Sequence, residues 1–410
     1  MIACIINALL FSASLWKYYK TYKSFDHTFI VMALYASVAI TGIGYFTLIY
    51  DIPKPVTITP FIYLFVTASI LFRPLIKTRN LNNKLHALID SRALNYLIII
   101  FVICAFINLY NIWTDVLANI ISGDWQSVKV DAYMQNGNGV GFIAAYTGAF
   151  AKYFCYLIYP YCFYSYTKKQ NKMWRTTFIL LLAVTSSLFQ YLMTAYRGGI
   201  FSIIVLLLIN FVIFQKNIPL QRKKKLYVVG GIMMAALLII AMSITNSRFE
   251  DSKTTTPLES LFLYFGQSMV NFNGGIANSA TSYMGGKYFF MAKLGLDKTD
   301  FWIDSKYNIL TNDGSDFDTL IGCFYIDFGP ILAFVILSVV SYIMMRLLKF
   351  RPNSWATLYA LMFYLDMLVA GVFHGPSYMS QIVTNVIVIY ILIFIAEKYG
   401  RKNSRVLSQG

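Results

Sequence analysis

One arginine lies in a very short polar turn between two apolar runs. Arg197 occurs in Thr194-Ala195-Tyr196-Arg197-Gly198-Gly199, where one apolar run ends and the next begins at once. A guanidinium presents a planar fork of N–H donors and keeps its charge, so it is well suited to bind phosphate oxygens. A structural interpretation is also open, in which the arginine only anchors the hairpin. Ionisable groups at such edges are costly and commonly functional, which favours phosphate binding.

Two further residues lie at comparable edges of apolar runs. Arg248 follows such a run in Asn246-Ser247-Arg248-Phe249-Glu250-Asp251, where it either provides a second phosphate contact or pairs with a neighbouring carboxylate. His374 stands in Val372-Phe373-His374-Gly375-Pro376. Because histidine titrates near neutral pH, His374 is a candidate base for a hydroxyl proton. A purely structural, hydrogen-bonded histidine explains the position equally well.

A lysine and several carboxylates complete the set of candidates. Lys152 and Asp366 fall inside apolar runs, and two roles are open: the two side chains pair with each other, or Lys152 contacts a substrate. The segment 313–318 contains three aspartates, but their spacing does not match a calcium loop. Asp316 or Asp318 is better placed to cap a helix that begins directly afterwards. We therefore predict no metal site.

The stretch Asp327-Phe328-Gly329-Pro330 interrupts a long apolar run. Proline removes a backbone donor and clashes with the preceding turn, so the pair Gly329-Pro330 is predicted to break a helix here. The break would separate a short outer piece from a membrane-spanning piece. Asp327 immediately precedes this break.

The amino-acid composition indicates the class of protein in which these candidate residues occur. The chain has 410 residues, of which 58% are hydrophobic and 13% charged, with a formal net charge of +16. A soluble domain has about 25% charged residues, so this chain could not cover a water-facing surface of its own. The basic residues form short clusters between apolar runs and not one face, which argues against nucleic acid as a partner. The sequence therefore predicts a polytopic integral membrane protein.

The apolar runs are about as long as a membrane-spanning helix. Backbone amides in lipid must be satisfied within their own segment, and the runs lack the alternation of barrel strands, so all are predicted to be helices. We predict a single all-α transmembrane domain over 1–410 with about eleven spans. The predicted spans are 1–16, 28–50, 56–76, 94–113, 141–166, 176–195, 199–215, 226–244, 319–347, 356–373 and 382–396.

Orientation follows from the positions of lysine and arginine. Basic residues are concentrated in alternate connections, which the positive-inside rule makes cytoplasmic, so the amino terminus is predicted to face outward. Two long connections, near 114–140 and 245–318, then lie outside. Thr256-Pro257-Leu258-Glu259 has the form of a helix start, and the apolar spacing after it predicts an amphipathic helix near 257–272. This helix either lies on the membrane or packs on the transmembrane bundle.

This layout and two local motifs resemble a known family. The motifs are the pair Arg197-Gly198 at an outer turn and the stretch from Asp318 to Gly329, DTLIGCFYIDFG. Together with many apolar spans and one large outer loop, they resemble the bacterial oligosaccharide repeat-unit polymerases, the O-antigen polymerase (Wzy-type) family. The resemblance covers the layout of the whole chain, whereas the motifs span some twenty residues.

The resemblance implies a metal-independent glycosyltransferase, without a cofactor, whose helical fold is similar to that of the GT-C enzymes. Such an enzyme sits in the bacterial inner membrane and works on its periplasmic face. It extends a glycan carried on undecaprenyl diphosphate and builds O-antigen, capsule or exopolysaccharide, in some cases with a chain-length regulator protein. The implied roles are base for His374, with Asp327 and Asp318 as secondary carboxylates, and diphosphate or substrate binding for Arg197, Arg248 and Lys152.

Two other functions are compatible with parts of the sequence. An O-antigen ligase has a similar layout and would use the same outer arginines and histidine. A lipid-linked oligosaccharide flippase would share the apolar content, but it has little need of the long connection at 245–318. A membrane O-acyltransferase is less favoured, because we find no His-Asp pair placed inside a span.

Overall fold

The computed structural model describes residues 1–51, 54–79, 88, 92–125, 127–128, 142–168, 171–249, 257–287, 289–290, 319–373 and 379–407. Over these residues the chain is built from helices joined by turns, and no strand occurs among them. The all-α prediction is confirmed for this part of the chain. His374 and Asp318 lie outside the described residues.

Twelve α-helices and one π-helical turn make up the described structure. In chain order they are α1 (Ile2–Tyr22), α2 (His27–Leu48), α3 (Ile58–Thr78), α4 (Arg92–Ser122), α5 (Phe142–Thr167), α6 (Met173–Leu192), α7 (Arg197–Phe214), α8 (Leu220–Phe249), α9 (Pro257–Asn271), the π-helical turn (Phe272–Ala277), α10 (Thr319–Phe350), α11 (Trp355–Gly371) and α12 (Met379–Leu407).

Among the described residues, nine helices are long and apolar enough to cross a membrane. They are α1 to α4, α6 to α8, α10 and α12, whereas α11 is apolar but has only 17 residues. Helix α5 is not among the nine, although it is 26 residues long, because it carries seven tyrosines and Lys152. Every predicted apolar run coincides with a helix, so the chain is an all-α polytopic membrane protein.

Several helices continue past the predicted spans, and α12 does so furthest, to Leu407, eleven residues beyond the predicted end at 396. Helix α4 runs on to Ser122, nine residues beyond the predicted end of the span at 113, and α8 continues to Phe249. Intrahelical hydrogen bonds do not require apolar side chains, so a helix continues after the hydropathy falls. The start of the predicted long outer loop therefore belongs to α8.

The helices divide between two compact units. Unit 1 comprises 1–80, 254–350 and 364–384, and unit 2 comprises 81–253, 351–363 and 385–410. Unit 1 therefore contains α1 to α3, α9, the π-helical turn and α10. Unit 2 contains α4 to α8. Helices α11 and α12 each contribute residues to both units.

Within unit 1, the second half of α9 is enclosed by other helices. Gln267, Ser268 and Asn271 are all buried there. Ser268 Oγ donates to the carbonyl of Val372 at 2.8 Å, and Tyr45 Oη on α2 donates to Oδ1 of Asn271 at 3.1 Å. Of the two interpretations of this amphipathic helix, these contacts correspond to packing on neighbouring helices.

The π-helical turn is joined to the connection between α2 and α3. The side chain of Asn273 accepts from the Thr57 N–H at 2.9 Å and donates to the Thr57 carbonyl at 2.7 Å. Gly274 lies directly against the Tyr50 hydroxyl, which donates to the carbonyl of Lys54 at 3.1 Å. Burial raises the pKa of Tyr50 to about 12, which keeps this phenol a neutral donor. Side-chain and backbone bonds together therefore fix this segment in unit 1.

Candidate functional site

Arg197 begins helix α7 in unit 2, after a four-residue turn from the end of α6. The turn is closed by the Tyr196 N–H, which donates to the carbonyl of Tyr191 at 2.9 Å, and Ala195 adopts a left-handed backbone with φ of 46°. The predicted tight turn is confirmed. Only 7% of the Arg197 surface is exposed, so its guanidinium is held in the protein and does not extend freely into the surroundings.

Two tyrosines pack around this turn. The rings of Tyr191 and Tyr196 meet edge to face with centroids 5.6 Å apart. Gly199 lies so close to the Tyr191 ring that a Cβ at this position would overlap it. Because Gly199 has no side chain, the Tyr191 ring can lie against the first turn of α7. Arg197 is the first residue of that turn.

Lys152 on α5 lies near the ring of Tyr191 and near the ring of its chain neighbour Tyr153. Its Nζ lies 5.1 Å from the centroid of Tyr191 and 5.8 Å from that of Tyr153, within the range of cation–π attraction. The ring of Tyr191 therefore lies beside both Lys152 and the first turn of α7, which begins with Arg197, and both of these cations are predicted substrate-binding residues. We call Lys152, Tyr191, Tyr196, Arg197 and Gly199 the α6–α7 corner.

The α6–α7 corner is electropositive for a second reason. The backbone N–H groups in the first turn of a helix lack intrahelical acceptors and carry a partial positive charge. In α7 the cap residue, Tyr196, makes no side-chain capping bond, and the first turn has no acidic residue. A helix start of this kind, together with two cationic side chains, is chemically matched to an anion with several oxygens.

Asp327 lies in unit 1, at the predicted break in α10. Gly329 has φ of 71°, so the helical path is interrupted there. Pro330 has no N–H to donate to the carbonyl of Ile326, and Met284 supplies this donor from another segment, with N···O of 3.0 Å. The Gly285 N–H donates in the same way to the carbonyl of Asp327 at 2.7 Å. The break is therefore satisfied by the backbone of the segment 281–287.

The carboxylate of Asp327 is itself engaged. Its Oδ2 accepts from the Phe289 N–H at 2.6 Å, and only 2% of the residue is exposed. This contact gives Asp327 an evident structural role, in which the side chain fixes the segment that satisfies the helix break. The sequence pattern indicated a carboxylate near the outer face and gave no sign of this bond.

An aromatic cluster surrounds the break in α10. The ring of Tyr325 lies 5.5 Å from Tyr63, 5.6 Å from Phe272 and 6.0 Å from Tyr283, measured between centroids. Tyr63 Oη donates to the carbonyl of Pro330 at 2.8 Å. The cluster therefore supports the interrupted helix through both packing and hydrogen bonding.

The remaining candidates are less completely described. Arg248 lies in the last turn of α8, in unit 2, and the description covers its backbone but not its side chain. His374 and Asp318 fall outside the described residues. Lys152 belongs to unit 2 and Asp366 to unit 1. Within the described part of the chain, no three His, Cys, Asp or Glu side chains are grouped so that they could hold a metal ion.

Sequence reasoning missed the tyrosines of the α6–α7 corner. Tyr196 stands beside Arg197, but Tyr191 belongs to the preceding apolar run and looks like an ordinary interfacial aromatic residue. The available signal was the glycine pair after Arg197, because adjacent glycines at a helix start indicate a close approach by another group.

Comparison with known proteins does not identify the chain. No protein-family model, no curated protein and no solved structure matches it.

Proposed function

We propose that this protein is a membrane glycosyltransferase that polymerises undecaprenyl-diphosphate-linked oligosaccharide repeat units into a surface polysaccharide. The proposal rests on one observation, the α6–α7 corner, where the ring of Tyr191 lies beside both Lys152 and the first turn of α7, which begins with the nearly buried Arg197 and has no acidic residue. This arrangement suits a diphosphate, and the apolar helices suit the polyprenyl chain attached to it.

In the proposed reaction, an acceptor hydroxyl oxygen forms a bond with the anomeric carbon of the donor glycan. The bond between that carbon and the diphosphate oxygen breaks, and its electron pair leaves with the diphosphate. Negative charge therefore grows on the leaving group, and fixed cations that contact it lower the barrier. Arg197 and Lys152 are assigned this role, with Arg248 as a further diphosphate contact.

The acceptor hydroxyl must also lose its proton. We assign this proton to His374, because imidazole accepts a proton efficiently near neutral pH. Asp318 and Asp327 are the alternative bases, although the bond from Phe289 to Asp327 favours a structural role for that carboxylate. The face of the bacterial inner membrane on which transfer occurs is proposed from the distribution of basic residues, which makes it periplasmic.

Glycan profiling of a strain that lacks the protein tests this proposal against its closest rivals. Loss of a polymerase should leave surface glycans that carry a single repeat unit. Loss of a ligase should instead leave long polymer on the lipid carrier, and loss of a flippase should leave single lipid-linked units on the cytoplasmic side. Either of the latter two results would replace the proposal.

A further inference from the structure

We infer that unit 2 carries a second anion-binding surface, away from the α6–α7 corner, that binds the headgroups of anionic phospholipids. This surface is the basic patch formed by Lys168, Lys172, Arg175, Lys223, Lys224 and Lys225. It does not depend on the proposed glycosyl transfer, and it lies in the connections predicted to be cytoplasmic.

Arg222 assembles the basic patch from two separate pieces of chain. Its Nη1 donates to the carbonyls of Tyr166 and Lys168, at 3.2 and 2.6 Å, and its Nη2 donates to the carbonyl of Asn171 at 3.1 Å. The bond to Tyr166 caps the end of α5, whose last carbonyls lack intrahelical donors, and the bonds to Lys168 and Asn171 hold the connection that follows. They also hold the start of α8, with its three lysines, against the basic connection between α5 and α6.

Among the residues that the structure describes, little negative charge is available to balance the basic patch. Residues 132–249 contain twelve lysines and arginines and not one Asp or Glu. Helix α12 contributes Glu397 to unit 2, but this carboxylate already accepts from Ser354 Oγ and from the Trp355 N–H, both at 2.5 Å. Lysines in the first turns of α8 are also repelled by the positive end of the helix dipole. An external anion would relieve this repulsion.

Two aromatic side chains place the basic patch at the level of lipid headgroups. Trp174 adjoins Arg175 at the start of α6 and is 71% exposed, and Tyr227 follows the lysines of α8 and is 57% exposed. Tryptophan and tyrosine with one polar end collect at the membrane–water interface. Clusters of four to eight Lys and Arg immediately beside a transmembrane helix bind anionic lipids there. The occupant that fits is therefore the phosphate-bearing headgroup of a bilayer lipid.

Native mass spectrometry of the full-length detergent-purified protein, titrated with phosphatidylglycerol or phosphatidylcholine, tests this inference. The variant K223Q/K224Q/K225Q should bind phosphatidylglycerol on the order of a hundredfold more weakly, because each lysine near an anionic surface contributes about fivefold. The matched control K17Q/K20Q/K23Q removes the same charge from a run of three lysines in unit 1, fewer than the four to eight basic residues of a lipid-binding cluster, and should change binding by less than about fivefold.

A second variant tests whether the hydrogen bonds of Arg222 are needed to form the basic patch. Arg222→Lys keeps the net charge but loses the fork that contacts three carbonyls, so it should also weaken phosphatidylglycerol binding. Inorganic phosphate is the competitor that distinguishes a lipid from a free anion, and it should not displace the lipid at millimolar concentration. Equal weakening in both triple variants, equal binding of the two lipids by the wild type, or displacement by phosphate would each overturn the inference.

Discussion

The backbone N–H of Phe289 lies 2.6 Å from Oδ2 of Asp327, so the most conspicuous carboxylate of the predicted motif already has a partner. A role as a general base and a role as a structural hydrogen-bond acceptor require different properties of this side chain. A base needs a free oxygen that accepts a proton, whereas the contact with Phe289 needs only an oxygen in the right place. Variants that separate these demands decide the role of Asp327.

We expect Asp327→Asn to retain polymer formation within a fewfold of wild type, because the amide oxygen still accepts from Phe289. Asp327→Ala should lower the free energy of unfolding by about 1–3 kcal/mol, since it leaves a part-buried N–H without its acceptor. Thermal unfolding of the purified protein and polymer length on gels measure the two effects. A stable Asp327→Asn protein that polymerises about a hundredfold more slowly would establish a catalytic carboxylate instead.

Arg197→Ala should abolish long glycan chains while the protein remains in the membrane. Loss of one charge-stabilising donor at a developing anion costs about 10²- to 10³-fold in rate. Arg197→Lys should recover part of the activity, because it restores the charge without the planar fork. Polymer length, compared at matched protein levels, is the measurement. Normal chain length in Arg197→Ala would remove Arg197 from the mechanism.

The sequence predicted those structural elements that are determined by residues close together in the chain. Apolar runs gave the helices, the residues Gly329-Pro330 gave the break in α10, and the polar stretch around Arg197 gave a tight turn. Each follows from the chemistry of neighbouring residues, through hydropathy, a missing N–H donor or a short connection.

Contacts between segments that are far apart in the chain could not be predicted from the sequence. Phe289 and Asp327 are 38 residues apart, and Lys152 meets Tyr191 from a different helix. The amphipathic pattern of α9 is the same whether its apolar face meets lipid or other helices, so the sequence left both possibilities open. Only the positions of the other helices distinguish them.

His374→Ala should slow glycosyl transfer by about 10²- to 10⁴-fold, the usual contribution of a general base, without weakening binding of the lipid-linked donor. An assay with purified enzyme and defined donor, run at donor concentrations above and below saturation, separates the two quantities. As a control, Arg197→Ala should weaken both binding and transfer, since it removes a diphosphate contact. Unchanged transfer in His374→Ala would end the assignment of this base.

Gly274→Ala should destabilise unit 1, because the new methyl group would overlap the Tyr50 hydroxyl and displace it from the carbonyl of Lys54. Overpacking of this kind lowers the free energy of unfolding by about 1–3 kcal/mol. Gly230→Ala is the matched control: this helical glycine on α8 has no atom within 4 Å of the added carbon, so the change should be neutral or slightly stabilising. Thermal unfolding of both purified variants provides the comparison, and equal stability would mean that Tyr50 moves aside without cost.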